Sequence, residues 1–192
     1  MKNDSPIIAV LDACILYPAP LRDLLLYIAD ASLFQPKWSD QINEEWVRNL
    51  LKNRSNLKRK GLDRTVKEMN RAFADANVNP NKEEIEILVL PDLDDRHVLA
   101  TAIKAKAERI ITANLKDFPP TYIQQFKISV QHPDKFIHQL INDYPNEVLI
   151  AFRKQVGNLK NPPRTELEVI ESLKKCGLTN SSLLLKQLIL ET

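Results

Sequence analysis

The sequence predicts an α/β domain with a central, mostly parallel sheet flanked by helices, followed by a C-terminal helical extension. Three observations carry this expectation. Short apolar runs with β-branched residues, Pro6-Ile-Ile-Ala-Val-Leu11 and Arg109-Ile-Ile-Thr112, have the pattern of strands buried on both faces. Segments of helical periodicity alternate with them, as connections between parallel strands require. From Asp134 onward the periodicity is helical throughout.

The first strand ends at Asp12. A helix follows Pro20, with Leu21, Leu24, Leu25 and Ile28 on one face. Ser39 is placed to cap a second helix that carries Ile42, Trp46, Val47 and Leu50, and Leu62, Val66, Met69 and Phe73 mark a third. Residues 85–90 read as a strand. Val98, Leu99, Ala102 and Ile103 then give a further helix before the strand at 109–112, and a last strand is expected near 127–130. The tail reads as helices over 136–141, 148–156, 165–175 and 182–190. Asn161-Pro-Pro163 interrupts them, Thr165 and Glu168 can form a capping box, and Gly177 suits a helix C′ position. The expected organisation is a principal domain over 6–133 and a helical extension over 134–192, packed on that domain.

Hydrophobic residues make up 44% and charged residues 27% of the 192, which is ordinary globular usage and excludes a disordered chain. The net charge of +2 is too mild to name a partner, so electrostatic arguments rest on where charges lie. Met1–Ser5 is polar and the apolar run 7–11 is too short to span a bilayer, so no leader, no membrane partner and a cytoplasmic location are expected. Cys14 and Cys176 form no Cys-x-x-Cys pair and read as buried free thiols. With glycine only at 61, 157 and 177, no Gly-rich phosphate loop can be built.

Three acids fall where this architecture can bring them together: Asp12 after the first strand, Glu45 on the second helix and Asp95 at the start of a later one. In an open α/β sheet, ligands bind beyond the carboxyl ends of the strands. An acid ending a buried strand is costly to desolvate unless something binds it, which favours a functional reading of Asp12. Taken singly, Glu45 reads equally as a solvated helix residue, and Asp95 as an acid at the positive end of its helix. Converging carboxylates about 4 Å apart would repel by roughly 4 kcal/mol at an effective dielectric near 20, which a cation must offset. Hard oxygen ligands without His or Cys favour Mg²⁺ or Mn²⁺ over Zn²⁺.

Four ordered segments resemble the successive motifs of PIN domains, especially the VapC-like ribonuclease toxins. They are Asp12-Ala-Cys-Ile-Leu, Ser39-x-x-Ile42-x-x-Glu45, Asp92-Leu-Asp-Asp95-Arg-His-Val-Leu-Ala-Thr-Ala102 and Ile111-Thr-Ala-Asn-Leu-Lys-Asp-Phe118. The resemblance implies a PIN-like fold in the principal domain, with Asp12, Glu45 and Asp95 as metal-binding catalytic acids. Asp92 and Asp94 are alternatives for the third place. It further implies Mg²⁺ or Mn²⁺ as cofactor, an RNA substrate cut by an endonucleolytic mechanism, a cognate antitoxin and a homodimer. The family often has Asp in the Thr-x-Asp segment where this chain has Thr112-Ala-Asn114, with Asp117 three residues later. Asn114 can coordinate through its amide oxygen, and Asp117 either compensates through water or caps the turn before Pro119. His97 and Thr112 are accessory candidates: His97 reads as an actor near the phosphate or as a structural residue, Thr112 as a water-orienting or ordinary strand-end residue.

Basic residues at 48, 52, 54, 58, 59, 60, 64, 67 and 71 are opposed only by Asp63 and Glu68. Arg48, Lys52, Lys58, Arg59 and Lys60 are the candidates for RNA contact; the alternative is a solvated helix face. Leu183, Leu184, Leu185, Leu188 and Ile189 in the tail read as a contact for the antitoxin or a second copy, or as core packing against the principal domain, which is the expectation. Two rival functions remain. A haloacid-dehalogenase-like phosphatase also places Asp after a first strand, but needs a second Asp two residues on, where Cys14 stands. A catalytically degenerate PIN domain, marked by Asn114, would bind RNA or protein without cutting.

Overall fold

The computed structural model describes residues 6–191; the polar start Met1–Ser5, read as lacking a leader, lies outside them. In chain order, β1 (Ile7–Leu11) leads into α1 (Ala13–Leu16) and α2 (Ala19–Asp30), then β2 (Phe34–Lys37), α3 (Asp40–Asn53) and α4 (Arg59–Ala72). After α5 (Lys82–Glu86), a 3₁₀ turn over Leu93–Asp95 opens α6 (Arg96–Lys104) and β3 (Arg109–Ile111) follows. A second 3₁₀ turn, Leu115–Asp117, precedes α7 (Pro120–Ile123) and β4 (Ser129–Gln131). The chain continues as α8 (Pro133–Asp143), α9 (Pro145–Asn158), α10 (Glu166–Lys175) and α11 (Thr179–Leu190).

The chain divides into two compact units. One contains Ile7–Tyr17 and Gln35–Gln131 and holds nearly all of a four-stranded sheet of order β2-β1-β3-β4, in which β1 pairs with β3 and β3 with β4 in parallel. Val10, Leu11, Ile110 and Ile111 are fully buried, as the continuous apolar runs predict for strands covered on both faces. Trp38, Trp46, Val98 and Leu99 complete this core, and the Trp38 ring meets Phe73 edge-on at 6.0 Å.

The other unit gathers Pro18–Phe34 with the chain from His132 onward, and within it α2 packs against α9 and α10. Phe34 meets Phe136 edge-on at 5.2 Å, and Gln155 Nε2 donates to the Pro20 carbonyl at 2.9 Å. Asp134 on α8 caps α11: its carboxylate accepts from the backbone N–H of Asn180 and Ser181 and from Asn180 Nδ2 at 2.8–2.9 Å. The expected capping box at Thr165 and Glu168 is formed, and Gly177 follows α10 with φ +89°. Of the tail leucines expected in the core, Leu185 is fully buried whereas Leu183 is exposed.

Two elements differ from expectation. Residues 85–90 form no strand, because Asn81 and Glu84 make a capping box that opens α5 instead. Ile87 and Val89 are then left exposed. Conversely, β2 carries Pro36, which argues against a strand in sequence yet is tolerated on an edge, where β2 lies. Among the described residues no helix is long and apolar enough to cross a membrane.

Candidate active site

Strand register performs the first step of assembly. Leu11 pairs with Ile111 and Ile111 with Gln131, and the ladder extends through Asp12 N to Ile111 O and Thr112 N to Gln131 O, both 3.1 Å. Asp12 and Thr112 are therefore neighbours at the carboxyl edge. The chain runs from β1 to β2 on one side and later to β3 and β4 on the other. This edge is a topological switch point, where open α/β sheets bind ligands.

Asp12 is 3% exposed. Its Oδ2 accepts from Thr112 Oγ1 at 2.6 Å and Cys14 Sγ at 3.1 Å, and its Oδ1 from Ala13 N at 2.6 Å. Burial pushes this carboxyl above the usual range; the Thr112 and Cys14 bonds counter the rise and the Glu45 charge adds to it. Thr112 is held in turn by the Asn114 backbone N–H at 3.0 Å.

Glu45 is delivered by α3, whose start is fixed by Ser39 Oγ accepting from Ile42 N at 3.2 Å. Its Oε2 lies 3.2 Å from His97 Nε2 on α6. Asp95 stands at the N-cap of α6 but makes no side-chain capping bond, so helix capping does not account for it. Its Oδ2 is buried without a hydrogen-bond partner. Burial first, then the charges of Asp12, Asp92, Asp117 and Glu45, push the Asp95 carboxyl up to about 7.

The remaining candidates separate by position. Asp92 is exposed and its Oδ1 accepts from Asp94 N at 2.9 Å, while Asp94 is also exposed. Asp117 is half-buried and its charge reaches Asp95; the Asn114 side chain is exposed. His97 is 2% exposed, which removes it from contact with a phosphate. Sequence reasoning missed Cys14 as a site residue. Burial and the Asp12 charge push its thiol up to about 12, so it stays protonated and able to donate to Asp12. Its position two residues after Asp12, in the turn that leaves β1, was the available signal. Both cysteines are free thiols and half-buried.

Arg48 and Lys52 are exposed and lie three and seven residues after Glu45, hence on one face of α3. Lys58 and Lys60 are exposed as well. Arg59 is engaged within the chain, bonded to Asp63 at 2.8 Å and to both carboxylate oxygens of Glu44.

Do these residues fit a divalent cation? The donors are carboxylate oxygens, Asp95 Oδ2 has no partner, and the acids raise one another's affinity for positive charge. Among the described residues no three His, Cys, Asp or Glu side chains already form a metal cage. The fit therefore rests on donor chemistry and the unpartnered oxygen, which are what mutually repelling carboxylates present without a counter-charge.

A PIN-domain family model matches residues 9–116, more than half of the chain. The chain belongs to the PIN-domain family. Asp12, Glu45, Asp95 and Asn114 all lie inside the matched PIN segment, and Asp117 just beyond it. A second model, the VapC50 C-terminal domain, matches residues 133–187, from α8 into α11. A protein of Mycobacterium tuberculosis (strain ATCC 25618 / H37Rv) named "Putative ribonuclease VapC50" is 34% identical over 79 residues, 41% of this chain. The match spans about half of that relative, 47% of its length. No solved structure matches this PIN protein.

Proposed function

We propose that this PIN protein is an Mg²⁺- or Mn²⁺-dependent endoribonuclease that cleaves exposed, single-stranded RNA as the toxin of a toxin–antitoxin pair. One observation carries the reading: Asp95, with a buried unpartnered oxygen, sits within the electric field of Asp12, Glu45 and Asp117 at the switch point of the sheet. The relative's printed name, a ribonuclease, agrees with it.

Asp12, Glu45 and Asp95 are the ligands in this reading, with Asp117 or the Asn114 amide oxygen as a further one. The bound ion supplies charge neutralisation at the phosphate and an acidified water. The chain's own part is positional. Thr112 and Cys14 hold the Asp12 carboxylate, and the buried sheet edge excludes bulk water from its Oδ2 side. Arg48 and Lys52, on the Glu45 face of α3, guide the phosphate backbone toward an otherwise anionic site.

Incubation of the purified protein with labelled RNA in Mg²⁺ or Mn²⁺ against EDTA tests this. Asp12→Asn and Asp95→Asn should each lower cleavage by at least roughly 100-fold, the scale of losing one preorganised electrostatic group. Cleavage in EDTA, or full activity of both variants, would refute the mechanism. A second reading, RNA binding without cleavage, is favoured by the exposed Asn114 where the family often has an acid. Binding with no cleavage under any condition would select it.

A further inference from the structure

We infer that His97 is a positioning residue that fixes the Glu45 carboxylate in the site; the inference rests on the metal-dependent nuclease reading. His97 is 2% exposed, so its ring is shielded from direct contact with substrate. Its Nε2 lies 3.2 Å from Glu45 Oε2, while its Nδ1 is buried with no partner. Among the described residues the acceptor in reach of the ring is the Glu45 carboxylate, which faces Nε2. The Nε2–H is therefore the donor to Glu45, and Nδ1 is left without a partner.

An apolar side chain would fill this space without leaving an orphaned nitrogen. What the imidazole contributes in return is the donor to Glu45. That contribution matters because the Glu45 side chain is 30% exposed and its charge adds to those acting on Asp95 and Asp12. Repelled by two fixed acids and open to solvent, a three-torsion carboxylate would otherwise swing outward. His97 is two residues from Asp95 on the same helix, so one element sets both Asp95 and, through the ring, Glu45. Thr112 and Cys14 do the same for Asp12. Asp95 alone has no such donor on its buried oxygen.

The test compares His97→Leu with His97→Gln, whose amide nitrogen can take the place of Nε2, in the 192-residue chain. Mn²⁺ affinity is measured by calorimetry, in the wild-type and in the Glu45→Gln background. The leucine variant should bind Mn²⁺ about 10- to 100-fold more weakly, the usual effect of removing a group that orients a ligand. Glutamine should restore most of the affinity, and leucine should have little further effect once Glu45 is Gln. Equal behaviour of the two variants, or an undiminished leucine effect in the Glu45→Gln background, overturns the proposal. Nitrogen-15 shifts of the His97 ring supply a measurement free of metal: a protonated Nε2 that responds to Glu45→Gln is expected, and an Nδ1–H tautomer or an indifferent ring refutes it. Wild-type protein that binds no Mn²⁺ while the ring shifts behave as expected would reject the nuclease reading and leave the His97–Glu45 contact standing.

Discussion

Two effects act on Asp95 in the same sense: burial resists its charge, and four neighbouring acids resist it further. Its carboxyl, at about 7 in the folded chain, lies above the ordinary unfolded value near roughly 4. The folded state thus holds a proton that the unfolded state releases. The resulting stability is complete below about pH 4 and is lost as pH rises toward 7. In EDTA, urea midpoints of the wild type should fall relative to Asp95→Asn across that window; parallel profiles would contradict the assignment. Asp12, raised by burial in the same sense, leaves a residual slope in the variant. At this scale the sequence singled out Asp12, Glu45 and Asp95 as candidates, through strand position and motif. It could not assign His97, because whether a helix residue faces solvent or a neighbouring carboxylate depends on which helix packs beside it. It also passed over Cys14, whose value comes from Thr112 lying opposite after a separation of 98 residues.

At the scale of elements, short-range chemistry decided what was legible. The capping boxes at Asn81 and Thr165 are both local patterns, yet only the second was anticipated; the first was hidden by the β-branched look of residues 85–90. The cap on α11 could not be read locally at all, since its acceptor, Asp134, is supplied by α8. Burial pushes the Asp134 carboxyl upward, but the bonds from Ser181 and Asn180 outweigh it and hold it below the usual range. Asp134→Ala should cost roughly 2–4 kcal/mol by removing charge-assisted bonds to the helix start. At about 2–4 °C per kcal/mol, the melting temperature should drop by roughly 5–15 °C. A drop below about 2 °C at pH 7 would show the cap to be dispensable on that scale. The deficit should shrink in acid, because a depressed carboxylate loses its advantage as pH falls through its folded value.

For the whole molecule, a net charge of +2 conceals a separation of signs, with exposed Arg48, Lys52, Lys58 and Lys60 in one stretch and acids from 83 to 95 in another. Arg59 belongs less to that surface than its sequence neighbours do, because Glu44 and Asp63 neutralise it. Replacing Arg48 and Lys52 together by alanine should reduce the salt dependence of single-stranded RNA binding, lowering the log–log slope by about 1.4 for two lost phosphate contacts. An unchanged slope would take the Glu45 face of α3 out of the RNA path. The sequence by itself determined the α/β class, the alternation of strands and helices and the place of Asp12 at the end of a buried strand, because strand burial and helix periodicity are written in nearest-neighbour chemistry. Tertiary structure alone decided that α2 groups with the later helices, that β2 is an edge strand despite Pro36, and that the Glu45 carboxylate meets the His97 ring. Those outcomes depend on contacts between residues far apart in the chain, whose free energies no local pattern encodes.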